Sequence, residues 1–256
     1  MAIIALKAWY LQEYEPIREL EKRPPDIRLS KNSLLKSALR ADFLEDSEDV
    51  KKSAWFQRYL EGELVEFYIE GSGGYAISNI DLTSHEIYFT KQEVMAHLDP
   101  IIFLCDQVDY SPSSEALREE LASAIESLNR RSRLPLSLEV TNRATDTPIR
   151  LNSASIRRIR KSLLFIADGT PITQVEREDS TQLIPSPIVC VETGYALQLK
   201  RPEQILLVQM ERSDLPGQFP FDISNQNRLI FKNQQELKDM LPAMLEGLLQ
   251  RYNLLY

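Results

Sequence analysis

Leu163-Leu164-Phe165-Ile166-Ala167-Asp168-Gly169-Thr170 is the stretch on which the fold turns. Its five consecutive apolar residues run straight into an aspartate and a glycine, which reads as a strand covered on both faces. Just upstream, 153–161 has a helical pattern in which Ile156 and Ile159 alternate with Arg157, Arg158, Arg160 and Lys161. Those cations read as a solvated helix face or as a group that steers a phosphate. Further back, apolar strands at 101–105 and 134–140 enclose a helix over 113–129. Ser113 or Ser114 opens it, and Leu117, Leu121, Ala124, Ile125 and Leu128 follow a three-four spacing.

Downstream the order continues with a polar loop, a helical pattern over 188–200, strands at 205–210 and 228–231, and a closing amphipathic helix over 234–252. Apolar strands alternating with amphipathic helices predict crossover units. The expected fold of 98–256 is α/β: a mostly parallel, five-stranded, flavodoxin-like sheet with helices on both faces.

The first 97 residues follow another rhythm and predict a smaller α+β domain. Strands are expected at 3–10, 65–69, 75–80 and 86–89, and a helix at 33–43 with Leu34, Leu35, Ala38 and Leu39 on one face. Gly71-Ser72-Gly73-Gly74 lies between two of those strands; with no lysine and no helix after it, it reads as a tight turn rather than a phosphate loop.

Composition excludes several classes. A formal net charge of −8 over 256 residues speaks against a general nucleic-acid binder. No stretch approaches the roughly 20 apolar residues that cross a bilayer, and Met1 to Trp9 has no basic leader of the kind that opens a signal peptide. The expected location is cytoplasmic, with Cys105 and Cys190 as reduced thiols. His85 and His97 show no metal-ligand spacing with them. Neither a Gly-x-Gly-x-x-Gly nor a Walker segment is present. No metal and no resident cofactor is expected.

Ligands of open parallel sheets collect beyond the carboxyl ends of the strands. Asp106 arrives there, as do Asp168, Gly169 and Thr170, and the loop that ends at Phe221 and Asp222. Asp168 is either a ligand or positioning group, or an Asx-turn acceptor onto Gly169 and Thr170. Glu192 stands in Pro187-Ile188-Val189-Cys190-Val191-Glu192-Thr193-Gly194-Tyr195-Ala196, an otherwise uncharged helix opening. It is solvent-facing at the positive end of a helix, or held in a pocket where it meets a sugar. Gly194 beside it would permit close helix–sheet or ligand approach, and Tyr195 would sit near the pocket mouth.

These pieces together resemble the nucleoside 2-deoxyribosyltransferase-like superfamily and the predicted nucleotide-binding TIR-like domains related to it. Those proteins carry an apolar strand ending in Asp, a variable loop, an Asn-Pro-Asn-Val-x-x-Glu-x-Gly-x-Ala segment, and a Pro-Phe-Asp element before the last strand and helix. Here the corresponding pieces are Asp168-Gly169-Thr170, Ser186 to Ala196, and Phe219-Pro220-Phe221-Asp222-Ile223 followed by Arg228-Leu229-Ile230-Phe231. The resemblance covers roughly the last 150 residues, a single domain's worth of chain. It implies Glu192 at an N-glycosidic bond and Asp168 as its catalytic companion at the base or nucleotide. Asp106, Gly169, Thr170, Pro187, Gly194, Tyr195, Phe221 and Asp222 would line the ligand, a nucleoside, nucleotide or NAD. Ser186 and Ile188 stand where the family has asparagines, and the loop before Pro187 is long and charged.

Two functions follow from the resemblance. One is a hydrolase or transferase acting at the N-glycosidic bond, with Glu192 at the sugar. The other is a non-catalytic nucleotide-binding or signalling domain on the same fold. Either takes a small-molecule partner rather than nucleic acid or membrane, with 1–97 as the surface for a protein partner or a second copy.

Overall fold

In the computed structural model, residues 5–34, 37–92, 94–141, 153–177, 180–220 and 227–256 are described. The chain divides into two compact units, Met1–His97 and Leu98–Tyr256.

The first unit is a closed six-stranded barrel. Its strands are β1 (Ala5–Tyr10), β2 (Ile27–Leu34), β3 (Ala38–Phe43), β4 (Glu66–Ile69), β5 (Gly73–Asp81) and β6 (Glu86–Lys91), in the order β1-β2-β3-β6-β5-β4. Every pairing is antiparallel, so closure leaves no exposed edge. Three short helices, α1 (Ile17–Leu20), α2 (Ser47–Lys52) and α3 (Ala54–Leu60), complete it. The core includes Leu29, Leu39, Ala41, Phe43, Trp55, Phe67, Tyr75, Ile87 and Phe89.

The helix expected over 33–43 is strand instead. Leu39, Ala41 and Phe43 are buried while Arg40 between them is exposed, a period of two that only a strand can satisfy against this core. Gly71 and Gly73 do take positive φ, in the turn expected before Tyr75.

The second unit is a five-stranded parallel sheet of flavodoxin-like type. Its strands are β7 (Asp99–Cys105), β8 (Ser137–Val140), β9 (Ser162–Asp168), β12 (Ile205–Met210) and β13 (Arg228–Phe231). They lie in the order β13-β12-β9-β7-β8, all pairs parallel. Chain order reverses direction between β7 and β9, which makes that boundary the topological switch point. All seven residues of β9 are buried, as its apolar run requires of a central strand.

Helices α4 (Ser111–Asn129) and α7 (Gln234–Gln250) pack together, as do α5 (Ser153–Lys161) and α6 (Pro187–Leu199). Phe103, Cys105, Phe165, Ala167, Ile205 and Leu207 share a core cluster with Ile159 of α5 and Val189 and Ala196 of α6. Alternate residues of each strand therefore face the α5–α6 layer, and those between them face the other.

The loop expected between Asp168 and Pro187 contains an antiparallel hairpin, β10 (Pro171–Glu176) and β11 (Thr181–Pro185). Leu183 N–H donates to Gln218 O at 2.8 Å, and Gln218 N–H to Thr181 O at 2.9 Å. The segment after β12 is thereby bonded to the hairpin. Gly217, at φ 155°, allows this approach: a Cβ there would lie 2.8 Å from Thr181 O.

Candidate functional site

At the carboxyl end of β9 the Asp168 carboxylate is wholly buried and bonded on every side. Ser113 Oγ donates to its Oδ1 at 2.9 Å, Thr170 N–H donates to the same oxygen at 3.1 Å, and Ser114 Oγ lies 3.1 Å from Oδ2. The Thr170 bond is the Asx turn expected of this sequence. Thr170 Oγ1 in turn accepts from Met210 N–H at 2.9 Å and lies 2.7 Å from Ser113 Oγ. The cluster therefore ties the first turn of α4 to the ends of β9 and β12.

Two opposed influences act on the Asp168 carboxyl. Ser114 has one hydroxyl proton, and its better acceptor is Gln107 O at 2.7 Å. The same hydroxyl lies within donating reach of Asp168 Oδ2, at 3.1 Å. Burial pushes the Asp168 carboxyl above its ordinary range, against the lowering effect of the Thr170, Ser113 and Ser114 hydrogen bonds. Desolvation is the larger of the two influences, so the folded state holds this proton more firmly than the unfolded chain does.

Around the cluster the chain is closely packed. Asp106, one residue beyond β7, is buried and takes a two-pronged ion pair from Arg118 of α4, with Nε 2.7 Å from Oδ2. Gln107 is buried, and its Nε2 donates to Thr170 O at 3.2 Å. Gly169 N–H donates to Val208 O at 2.8 Å. A Cβ on Gly169 would lie 2.7 Å from Leu207 Cδ1 and 2.9 Å from its Cγ, so this glycine serves the β9–β12 approach. Gly169→Ala is expected to lose about 1–3 kcal/mol through overpacking, read as a lower denaturant midpoint.

Glu192 occupies the other layer. Pro185 pairs with Pro171, so α6 starts at the carboxyl edge of the sheet, and Glu192 lies about 9 Å along it from Ser186. Val189, Glu192, Thr193 and Ala196 form the buried face of α6, and Glu192 is only 2 % exposed. The solvent-facing alternative for this glutamate is thus not the one adopted.

Asp168 and Glu192 do not share a face. Ala167 joins the cluster that packs against α6, so the next residue, Asp168, projects to the α4 side, where Ser113 and Ser114 meet it. Pro187, Gly194 and Tyr195 are exposed on the outer side of α6, Tyr195 by 38 %. A Cβ on Gly194 would meet nothing within 4 Å, so close packing does not require this glycine. Gly194→Ala should raise stability by about 1 kcal/mol, the helix-propensity difference, seen as a higher melting temperature. Phe221 and Asp222 lie outside the described residues.

Several residues at this edge escaped the sequence reading. Ser113 and Ser114 read as caps, yet their hydroxyls hold Asp168. Arg212 stacks on Tyr110, its guanidinium carbon 4.3 Å from the ring centroid, and donates to Pro171 O at 3.1 Å. Arg228 and Gln209 are joined on the α6 side by a 2.6 Å hydrogen bond. Only contacts across strands reveal these partners. Among the described residues no cluster of three or more His, Cys, Asp or Glu side chains is arranged to hold a metal ion. Cys105 and Cys190 form no disulfide, and Cys190 is half-buried. No helix among the described residues is long and apolar enough to cross a membrane.

No protein-family model matches the chain, and no curated protein matches it. One similar solved structure is the metal-soaked flavodiiron core of Flv1 from Synechocystis sp. PCC6803, at 15% identity and a TM-score of 0.35. The match covers 59% of this chain and 36% of that one, so the chain spans about a third of its length.

Proposed function

We propose that the second unit processes a nucleotide at its N-glycosidic bond, with Glu192 against the sugar. The observation that carries this is a carboxylate buried on the sheet side of α6, among residues that pack on Cys105 and Ala167 near the strand ends. It lies on the helix that starts at the carboxyl edge of the sheet, where ligands of such sheets collect. As the bond from C1′ to the base nitrogen breaks, its electron pair leaves with the base and positive charge grows on the ribose. A fixed carboxylate favours that state over the ground state. Water or an acceptor hydroxyl then bonds to C1′ and gives up its proton to solvent.

Asp168 has a different part in this reading. Locked to α4 and directed away from α6, it positions the strand ends and takes no proton from the ligand. Its enclosure favours a second reading, a domain that binds a nucleotide without cleaving it. Incubation of the full chain with NAD and a panel of nucleosides and nucleotides separates the two. Free base detected by chromatography is the expected result. Calorimetric binding with no release would favour the second reading, and neither binding nor release would remove both.

A further inference from the structure

Resting on the nucleotide reading, we propose that Arg228, backed by Phe219 and Gln209, receives the phosphate of the ligand, so that the substrate class is nucleotide and not nucleoside. Cys105, Ala167, Leu207 and Arg228 are successive partners in one row across β7, β9, β12 and β13. Side-by-side partners in a parallel sheet point to the same face. The first three belong to the cluster under α6, and the fourth is a cation. The row lies one residue before the end of β9, close to the edge where ligands of such sheets collect.

Arg228 is built in, and among the described residues it is not paired with an acid. Its guanidinium carbon lies 4.5 Å from the Phe219 ring centroid, which fixes the plane of the group. One terminal nitrogen, NH2, donates to the Gln209 amide oxygen at 2.6 Å, and Gln209 is itself 6 % exposed. Nε, the other tooth of the same fork, is shielded from solvent and has no acceptor among the described residues. Among the described residues no carboxylate forms a salt bridge with this arginine, in contrast to Arg118 and Arg212, whose forks are taken by Asp106 and Asp214. Burial lowers its pKa from the usual arginine value.

A half-filled fork held flat by an aromatic ring is matched by the paired oxygens of a phosphate. The Gln209 amide occupies one tooth and can give way to such an oxygen, turning its own NH2 group toward the anion. A neutral nucleoside offers nothing to this edge.

Calorimetry on the full chain with AMP and with adenosine tests the proposal. AMP is expected to bind at least about tenfold more tightly, the scale of one charge-assisted hydrogen bond. Arg228→Gln should abolish that preference, and Arg228→Lys, which keeps charge and bulk but not the fork, should lose most of it. Inorganic phosphate should compete with AMP and leave adenosine untouched, a test that needs no variant if the substitutions unfold. Equal affinity for the two compounds in the wild type, or a preference that survives Arg228→Gln, would overturn the phosphate assignment and leave the nucleotide reading standing. Binding of neither compound would remove that reading, and the assignment with it.

Discussion

Asp168→Ala lowers the stability of the sheet unit by about 2–4 kcal/mol, whereas Asp168→Asn leaves it near wild type. Alanine strands the Ser113 hydroxyl and the Thr170 N–H, both buried, and opens a gap where α4 meets β9. Asparagine keeps the shape and can satisfy the cluster without a charge: its oxygen accepts from Ser113 and Thr170 while its NH2 donates to Ser114. Far-UV dichroism during urea unfolding is the suitable probe, because α4 to α7 supply most of the helix. Both tryptophans, Trp9 and Trp55, lie in the barrel unit and their fluorescence reports there. An Asp168→Asn protein as unstable as Asp168→Ala would show that the carboxylate charge holds the cluster.

The same substitution has a pH signature. Burial raises the folded-state pKa of Asp168 above its unfolded value, so the native state holds this proton more firmly. The stability that the group contributes is fully present below an unfolded pKa of about 3.9, and it is lost as pH rises through the folded value. Asp168→Asn has no proton to lose. Its stability relative to wild type should therefore grow as pH rises above about 4, measured as the difference in urea midpoints. A difference that shrinks with rising pH would reverse the assignment.

The parallel sheet was legible because its central strands are apolar and short, with amphipathic helices between them. The 163–167 run became β9, and 205–210 and 228–231 became β12 and β13 with the expected bounds. Two segments were misread for want of a partner. Ala38 and Leu39 fit a helical face when taken with Leu34 and Leu35, and only pairing to β2 and β6 selects the alternate period. The hairpin over 171–185 exposes Thr173 and Val175 on one strand and buries Leu183 and Pro185 on the other, so no apolar run announces either.

The site was legible only as positions. Strand ends placed Asp106 and Asp168 at the carboxyl edge, yet strand parity also directs Asp168 away from the layer that receives Ala167. Gly169 read as a ligand contact from its place at a strand end and from the resemblance, whereas the approach of Leu207 explains it. Glu192 read as exposed or pocketed, since a helix opening has both faces, and the bare sequence favoured the exposed place. Its partners on that face, Val189 and Ala196, decide for burial.

Base release by the wild type and by Glu192→Gln, on the same nucleotide and at equal fold content by dichroism, tests the central claim most directly. Glutamine keeps the shape of the side chain and removes the charge that would face the ribose. Loss of one preorganised electrostatic contact of this kind commonly costs on the order of 10²–10³ in rate. The account predicts a fall of that size in kcat with nucleotide binding retained. Full turnover by a folded Glu192→Gln protein would contradict it.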